Sequence, residues 1–157
     1  MTDCKKPISV LFICAGNICC SPMAEAVFRH MVEQAGLAHC FHIASAATTT
    51  WEIGNPPHPG TQEILRIQNI PLDPAKRARQ VTREDVQQYD YLLVMDEENM
   101  RDMRRLGPVQ RLMDYAPHMG VRDVPDPYYT RDFNFTYKLV SAASKGLLEH
   151  IRAEHGF

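Results

Sequence analysis

No apolar run in this 157-residue chain approaches the ~20 residues that a membrane-spanning helix needs, so a bilayer-embedded protein is not expected. Neither sign of charge is in excess: 17 Lys and Arg stand against 19 Asp and Glu, a formal net charge of -2. That balance offers no footprint for nucleic acid. Met1–Lys6 lacks the apolar stretch of a secretory leader. The chain has no internal repeat, no low-complexity tract and a single tryptophan, Trp51. Cysteine is absent after Cys40, and three of the five cysteines crowd into residues 14–20. An odd count clustered in this way argues against a secreted disulfide framework and for a reducing cytoplasm.

What is present fits one domain over residues 1–157, with 45% hydrophobic and 23% charged residues. The pattern is organised around Val10–Pro22. Val10–Ile13 is a short continuous apolar run, as in a strand covered on both faces. Gly16 and Asn17 tolerate left-handed backbone angles. Ser21 is suited to cap a helix and Pro22 to its first position. Such a strand–loop–helix turn directs amides at an anion, and Cys14 at its mouth would be a low-pKa thiolate.

The rest alternates helix and strand. The first helix runs to Ala35 with Gly36 ending it, and Phe41–Ala46 reads as a second parallel strand. Residues 47–60 form a loop carrying Trp51, and a short helix around Ile64, Leu65 and Gln68 follows. Ala75–Gln80 reads as a solvated basic loop. Thr82–Asp85 begins another helix with capping-box character. Tyr91–Met95 is a third strand, with Asp96 at its carboxyl end opening a helix through Leu106. Val109–Met113 is a fourth strand, and Phe133–His155 a final amphipathic helix. The alternation predicts a doubly wound α/β fold: a four-stranded parallel sheet with helices on both faces. Asp126, between Pro125 and Pro127, is held in stiff extended backbone before Tyr128 and Tyr129.

Cys14-Ala15-Gly16-Asn17-Ile18-Cys19-Cys20-Ser21-Pro22 resembles the phosphate loop C-x-G-N-I-C-R-S-P of the low-molecular-weight protein tyrosine phosphatases. Asp126-Pro127-Tyr128-Tyr129 resembles their acid loop. The resemblance spans the chain. It implies that Cys14 attacks phosphorus, that Asp126 protonates the leaving phenolate and later deprotonates water, and that Ser21 steadies the thiolate. It further implies that Ala15, Gly16, Asn17, Ile18 and Cys19 bind phosphate, that Asn17 and Ser45 hold the loop, and that Trp51, Tyr128 and Tyr129 wall the substrate slot. Ile18 favours a planar phosphotyrosine. No metal or cofactor is implied. The expected partner is a phosphotyrosine-bearing protein, a tyrosine kinase among the candidates, and the expected state a cytoplasmic monomer or weak dimer.

Two positions depart from the family pattern. Cys20 stands at the catalytic arginine, so strongly reduced turnover is expected. Lys76 stands where family members often carry a histidine that orients the loop asparagine. Two other readings stay open: a pseudophosphatase or phosphotyrosine-binding adaptor, and a thiol/redox or soft-metal site at Cys14, Cys19 and Cys20. A low-pKa Cys14 is expected to pair with Cys19 on oxidation, with Cys20 as a competing partner.

Overall fold

The computed structural model describes residues 4 and 6–157, so the leader reading at Met1–Lys6 falls largely outside the described residues. Four parallel strands form one sheet in the order β2-β1-β3-β4. They are β1 (Ile8–Cys14), β2 (Phe41–Ala47), β3 (Tyr91–Val94) and β4 (Gln110–Arg111). Six α-helices accompany them: α1 (Cys20–Gln34), α2 (Pro59–Ile67), α3 (Arg83–Gln88), α4 (Glu97–Met103), α5 (Pro127–Thr130) and α6 (Phe133–His155).

β1 is central because it can be buried on both sides. Its alternate residues Val10, Phe12 and Cys14 join the larger core under α1 and α6, whereas Leu11 and Ile13 join a second core with Val81, Leu92, Val94 and Met103. This split is the two-sided covering expected of a doubly wound sheet. β1 feeds β2 on one side and pairs with β3 on the other, so the chain reverses winding direction between β1 and β3. Ligands in open α/β sheets bind beside the strand ends at such a switch point. Cys14 ends β1 at that place. The segment leading to Asp126 is tied to the same edge, because Val124 N donates to the Met95 carbonyl just beyond β3 at 2.8 Å.

Three local expectations shift. The fourth strand contracts from Val109–Met113 to Gln110–Arg111, since the chain turns into a 3₁₀ helix at Leu112–Tyr115 whose Leu112 and Met113 fill the core. The first helix begins at Cys20 with Cys19 in the capping position, so Ser21 and Pro22 lie inside its first turn. Ser21 is withdrawn from capping because its hydroxyl is used elsewhere. Cys4 and Cys40 form a disulfide. Ile8 pairs with Phe41 in register, which brings the segments preceding the two strands side by side. No sequence spacing reveals that adjacency. No helix among the described residues is long and apolar enough to cross a membrane.

α6 packs tightly enough on the Leu112–Tyr115 turn to need a glycine. A Cβ on Gly146 would lie 1.9 Å from the Tyr115 carbonyl oxygen, a backbone atom that cannot swing away. Gly146→Ala should therefore destabilise by about 1–3 kcal/mol in urea unfolding, although alanine is the better helix former by ~1 kcal/mol. An equally stable or more stable variant would show that the two elements are not in close contact.

Candidate active site

The loop between β1 and α1 is shaped by one left-handed residue. Asn17 has φ 58°, while Gly16, expected to share that role, stays outside the left-handed region. The left-handed step costs an ordinary L-residue about 1–2 kcal/mol, less for Asn, whose side chain bonds locally. Here the Asn17 side chain is fully engaged. Its Nδ2 donates to Ser21 Oγ at 2.8 Å and to Ser45 Oγ at 2.9 Å, and its Oδ1 accepts from Arg79 N at 3.2 Å.

The web continues inward. Ser45 Oγ donates to Glu25 Oε1 at 2.6 Å, and Lys76 Nζ reaches the same oxygen at 3.0 Å. Arg29 holds the other carboxylate oxygen at 2.8 Å. Burial opposes the Glu25 charge, but Lys76, the Ser45 hydroxyl and Arg29 outweigh it and hold the carboxyl below its ordinary pKa. Lys76 is thus turned inward rather than lying on a solvated loop, and Arg79 of the same stretch pairs with Asp85 at 2.9 Å. Lys76 supplies a cation to the Asn17 web through Glu25 and Ser45. Glu25 escaped the sequence reading. Its signal was the spacing Ser21-x3-Glu25, which puts both side chains on one face of α1.

The loop carbonyls point outward into the protein. Thr48 N and Thr49 N bond the carbonyls of Cys14 and Ala15 at 2.9 and 3.1 Å, and His58 N bonds that of Ile18 at 2.8 Å. Thr61 Oγ1 donates to the carbonyls of Ile18 and Cys19. With the carbonyls held out, the amides are free to face in: those of Asn17 and Ser21 bond the Cys14 sulfur, the first at 3.3 Å. Ser21 Oγ lies 2.9 Å from the same sulfur. Since that oxygen already accepts from Asn17, its own proton is poised for the thiolate. Cys14 has its pKa lowered to about 7, first by a hydrogen bond from the Cys20 thiol and then by Ser21 and Asn17, against the opposing effect of burial. Burial pushes Cys19 up to about 12, and Cys20 is raised by the proton it shares with Cys14 as well as by burial.

Above Cys14 is a cavity of about 250 Å³. Ala15, Gly16, Ile18 and Cys19 line its floor with Cys14, and Trp51 from the β2–α2 loop and Tyr128 and Tyr129 from α5 line its sides. Trp51 is 67% exposed and so is no core residue. Asp126 faces the cavity too and caps α5, accepting from Tyr128 N at 2.9 Å. Asn17, Cys20 and Ser21 stand behind the wall as support. Asp96 caps α4 outside the lining, with a carboxyl raised chiefly by burial. Glu52, missed by the sequence reading, is a second carboxylate on the cavity, signalled only by its place next to Trp51. Among the described residues no lysine or arginine lines it. The loop cysteines do not gather as a metal site. Among the described residues the cluster of ligand atoms within 4.8 Å of one another is Cys4, His39 and Cys40, at the opposite end of β1, and two of its sulfurs are bonded to each other.

The family model for low molecular weight phosphotyrosine protein phosphatases matches residues 9–156. The chain is 44% identical over 153 residues to the low molecular weight protein-tyrosine-phosphatase YfkJ of Bacillus subtilis, covering 94% of this chain and 97% of that protein. The YfkJ crystal structure superposes with a TM-score of 0.91, covering 95% of this chain and 97% of the other. PtpA of Staphylococcus aureus, a low molecular weight protein-tyrosine-phosphatase, is 36% identical over 149 residues, 92% of this chain and 94% of PtpA. SP-PTP, the low molecular weight protein tyrosine phosphatase of Streptococcus pyogenes, is 36% identical with a TM-score of 0.81, covering 91% and 92% of the two chains.

Two measurements check the electrostatics. Iodoacetamide labelling of Cys14 should rise with pH to half-maximal rate near pH 7, and Cys20→Ala should move that midpoint upward by removing the donor. An unmoved midpoint would show that Cys20 does not hydrogen-bond the thiolate. Lys76→Met leaves Glu25 with Arg29 and the Ser45 hydroxyl and should cost about 1.5–3 kcal/mol at neutral pH. The folded Glu25 pKa is depressed, so its contribution is present above the unfolded carboxylate pKa and lost as pH falls through the folded one. The variant's deficit should accordingly shrink in acid; a pH-independent deficit would point to lost packing instead.

Proposed function

The chain belongs to the low molecular weight phosphotyrosine protein phosphatase family, and on that premise we propose that it hydrolyses phosphotyrosine in protein substrates slowly, with Cys14 as nucleophile and Asp126 as proton donor. The observation that carries the reading is Cys14 itself: a thiol with pKa lowered to about 7, at the floor of an aromatic-walled cavity, on a loop whose carbonyls are held outward. The match over residues 9–156 supports treating the chain as one catalytic unit. Unpaired Cys14, Cys19 and Cys20 suit a reducing, cytoplasmic setting, whereas the Cys4–Cys40 disulfide weighs against it.

In this mechanism the thiolate attacks phosphorus in line as the ester oxygen departs, and Asp126 delivers the proton that turns phenolate into phenol. Water then attacks the thiophosphate, giving its proton to Asp126, and phosphate leaves with Cys14 again a thiolate. Trp51, Tyr128 and Tyr129 offer flat apolar walls for an aryl ring, and Ile18 adds an apolar floor.

The electrostatics limit the rate. A phosphoryl transition state spreads charge over three oxygens, and a fixed guanidinium fork would meet two of them. Cys20 brings neither charge nor fork, and Glu52 adds a second carboxyl group to the cavity beside Asp126. The amides still attract the dianion, so binding suffers less than turnover. A phosphotyrosine-binding role without turnover is the second reading, favoured by this same lack of a cation.

The test is p-nitrophenyl phosphate hydrolysis by the chain beside Cys20→Arg. The arginine should raise kcat by on the order of 10³ or more and lower KM much less, and Cys14→Ser should abolish the activity of both. A silent Cys20→Arg would favour the binding module, and an active Cys14→Ser would remove Cys14 from the mechanism. Asp126→Asn should slow substrates with poor leaving groups more than p-nitrophenyl phosphate; uniform slowing would make Asp126 a structural cap.

A further inference from the structure

Cys4, His39 and Cys40 lie beyond the end of β1 opposite the cavity and take no part in its lining. Their ligand atoms, two sulfurs and an imidazole nitrogen, all fall within 4.8 Å of one another. The fold brings them together. Ile8 pairs with Phe41, so the segments ahead of β1 and β2 run side by side, and the 3₁₀ turn Ala38–Cys40 sets His39 and Cys40 beside Cys4. The Cys4 and Cys40 α-carbons are 5.5 Å apart, and Cys4 Sγ lies 3.7 Å from the His39 carbonyl oxygen. Cys40 is buried, Cys4 half-buried and His39 exposed, so the group meets solvent on its imidazole side. The two sulfurs share a bond, yet a disulfide is out of place in the reducing setting that suits Cys14, Cys19 and Cys20. Reduced in the same position, the pair leaves two thiols beside an imidazole, which is a donor set for a soft metal.

We propose that Cys4, His39 and Cys40 form a redox-gated zinc site, closed as a disulfide when oxidised and holding one Zn²⁺ when reduced. Tetrahedral zinc, with bonds of about 2.3 Å to sulfur and about 2.0 Å to nitrogen, sets its ligand atoms roughly 3.5–4 Å apart. A cluster already within 4.8 Å reaches that spacing by small side-chain rotations. Two thiolates and a neutral imidazole cancel the charge of the cation, and the fourth position falls to water on the exposed side. Sulfur donors also select against magnesium and calcium, which take oxygen ligands. A dithiol opens the site by exchange: its own S–S bond forms as the Cys4–Cys40 bond breaks, and its two protons pass to the protein sulfurs. Zinc then displaces those two protons as two Zn–S bonds form. Either state ties residue 4 to the start of β2, so the clip persists when the redox setting changes. Among the described residues, the loop cysteines Cys14, Cys19 and Cys20 meet no such spacing.

The test titrates Co²⁺, a coloured stand-in for zinc, into the full chain with the disulfide intact and again after reduction by a phosphine. The reduced chain should develop sulfur-to-cobalt charge-transfer absorption that saturates at one equivalent and is bleached by one equivalent of Zn²⁺. The oxidised chain should show none. Cys4→Ser and Cys40→Ser should each abolish the saturable band. His39→Ala should weaken zinc by more than the ~10–100-fold that the loss of an outer partner costs, since it removes a ligand. The combined variant Cys14→Ser, Cys19→Ser and Cys20→Ser should keep the band in full. A reduced parent chain without the band would overturn the assignment, as would a band that survives Cys4→Ser and vanishes in the combined loop variant. Unchanged zinc affinity in His39→Ala would overturn it too. The readout contains no phosphate ester, so its failure is separate from any failure of the phosphatase reading.

Discussion

Everything at the cavity depends on holding one asparagine in a left-handed conformation. Asn17 turns the loop so that its carbonyls meet Thr48, Thr49, His58 and Thr61 and its amides meet the Cys14 sulfur. The side chain that permits the turn also secures it, by three hydrogen bonds to Ser21, Ser45 and the Arg79 amide. Buried bonds of this kind are costly to break one at a time, because each loss strands a partner away from water. The web links four parts of the chain: the loop, α1 through Ser21 and Glu25, β2 through Ser45, and residues 76–79. Fold and site are thereby coupled, and damage at Lys76 reaches Cys14 through a chain of contacts.

The loop is built for an anion, whereas its surroundings are not. Helix α1 and the inward amides supply positive potential at Cys14. The cavity itself adds the carboxyl groups of Glu52 and Asp126, and the web's cations Lys76 and Arg29 are already committed to Glu25 and lie behind the wall. With Cys20 at the arginine position, the Cys14 thiolate is supported by neutral donors: two amides, a serine hydroxyl and a thiol. In the mechanism proposed above, such donors would support the nucleophile without the guanidinium that meets a doubly charged transition state.

The fold was largely legible because its signals are local and consistent. An apolar run too short for a helix gives Val10–Ile13 no other home than a buried strand, and Phe133–His155 keeps helical periodicity from end to end. Where signals conflicted, the structure decided. Ser21 and Pro22 look like a helix start, yet the demand of Asn17 and Cys14 for the Ser21 hydroxyl moves that start to Cys20. The β4 expectation failed because Leu112 and Met113 are apolar for the core's sake and not for a strand's.

By itself, the sequence determined the chemistry available: a thiol in a strand–loop–helix turn, an aspartate stiffened by two prolines, aromatics amid polar residues, and a cysteine at position 20. These are read from residues close together in the chain. Only the tertiary structure decided what each side chain meets. It turned Lys76 inward onto Glu25, set Glu52 on the cavity, gave the Ser21 hydroxyl to Cys14 rather than to the helix cap, and joined Cys4 to Cys40. The physical reason is common to all four. Each contact depends on how the Ile8–Cys14 backbone pairs with β2 and β3 or on how the loop curls at Asn17, and neither the pairing nor the curl is encoded in the spacing of the residues it brings together.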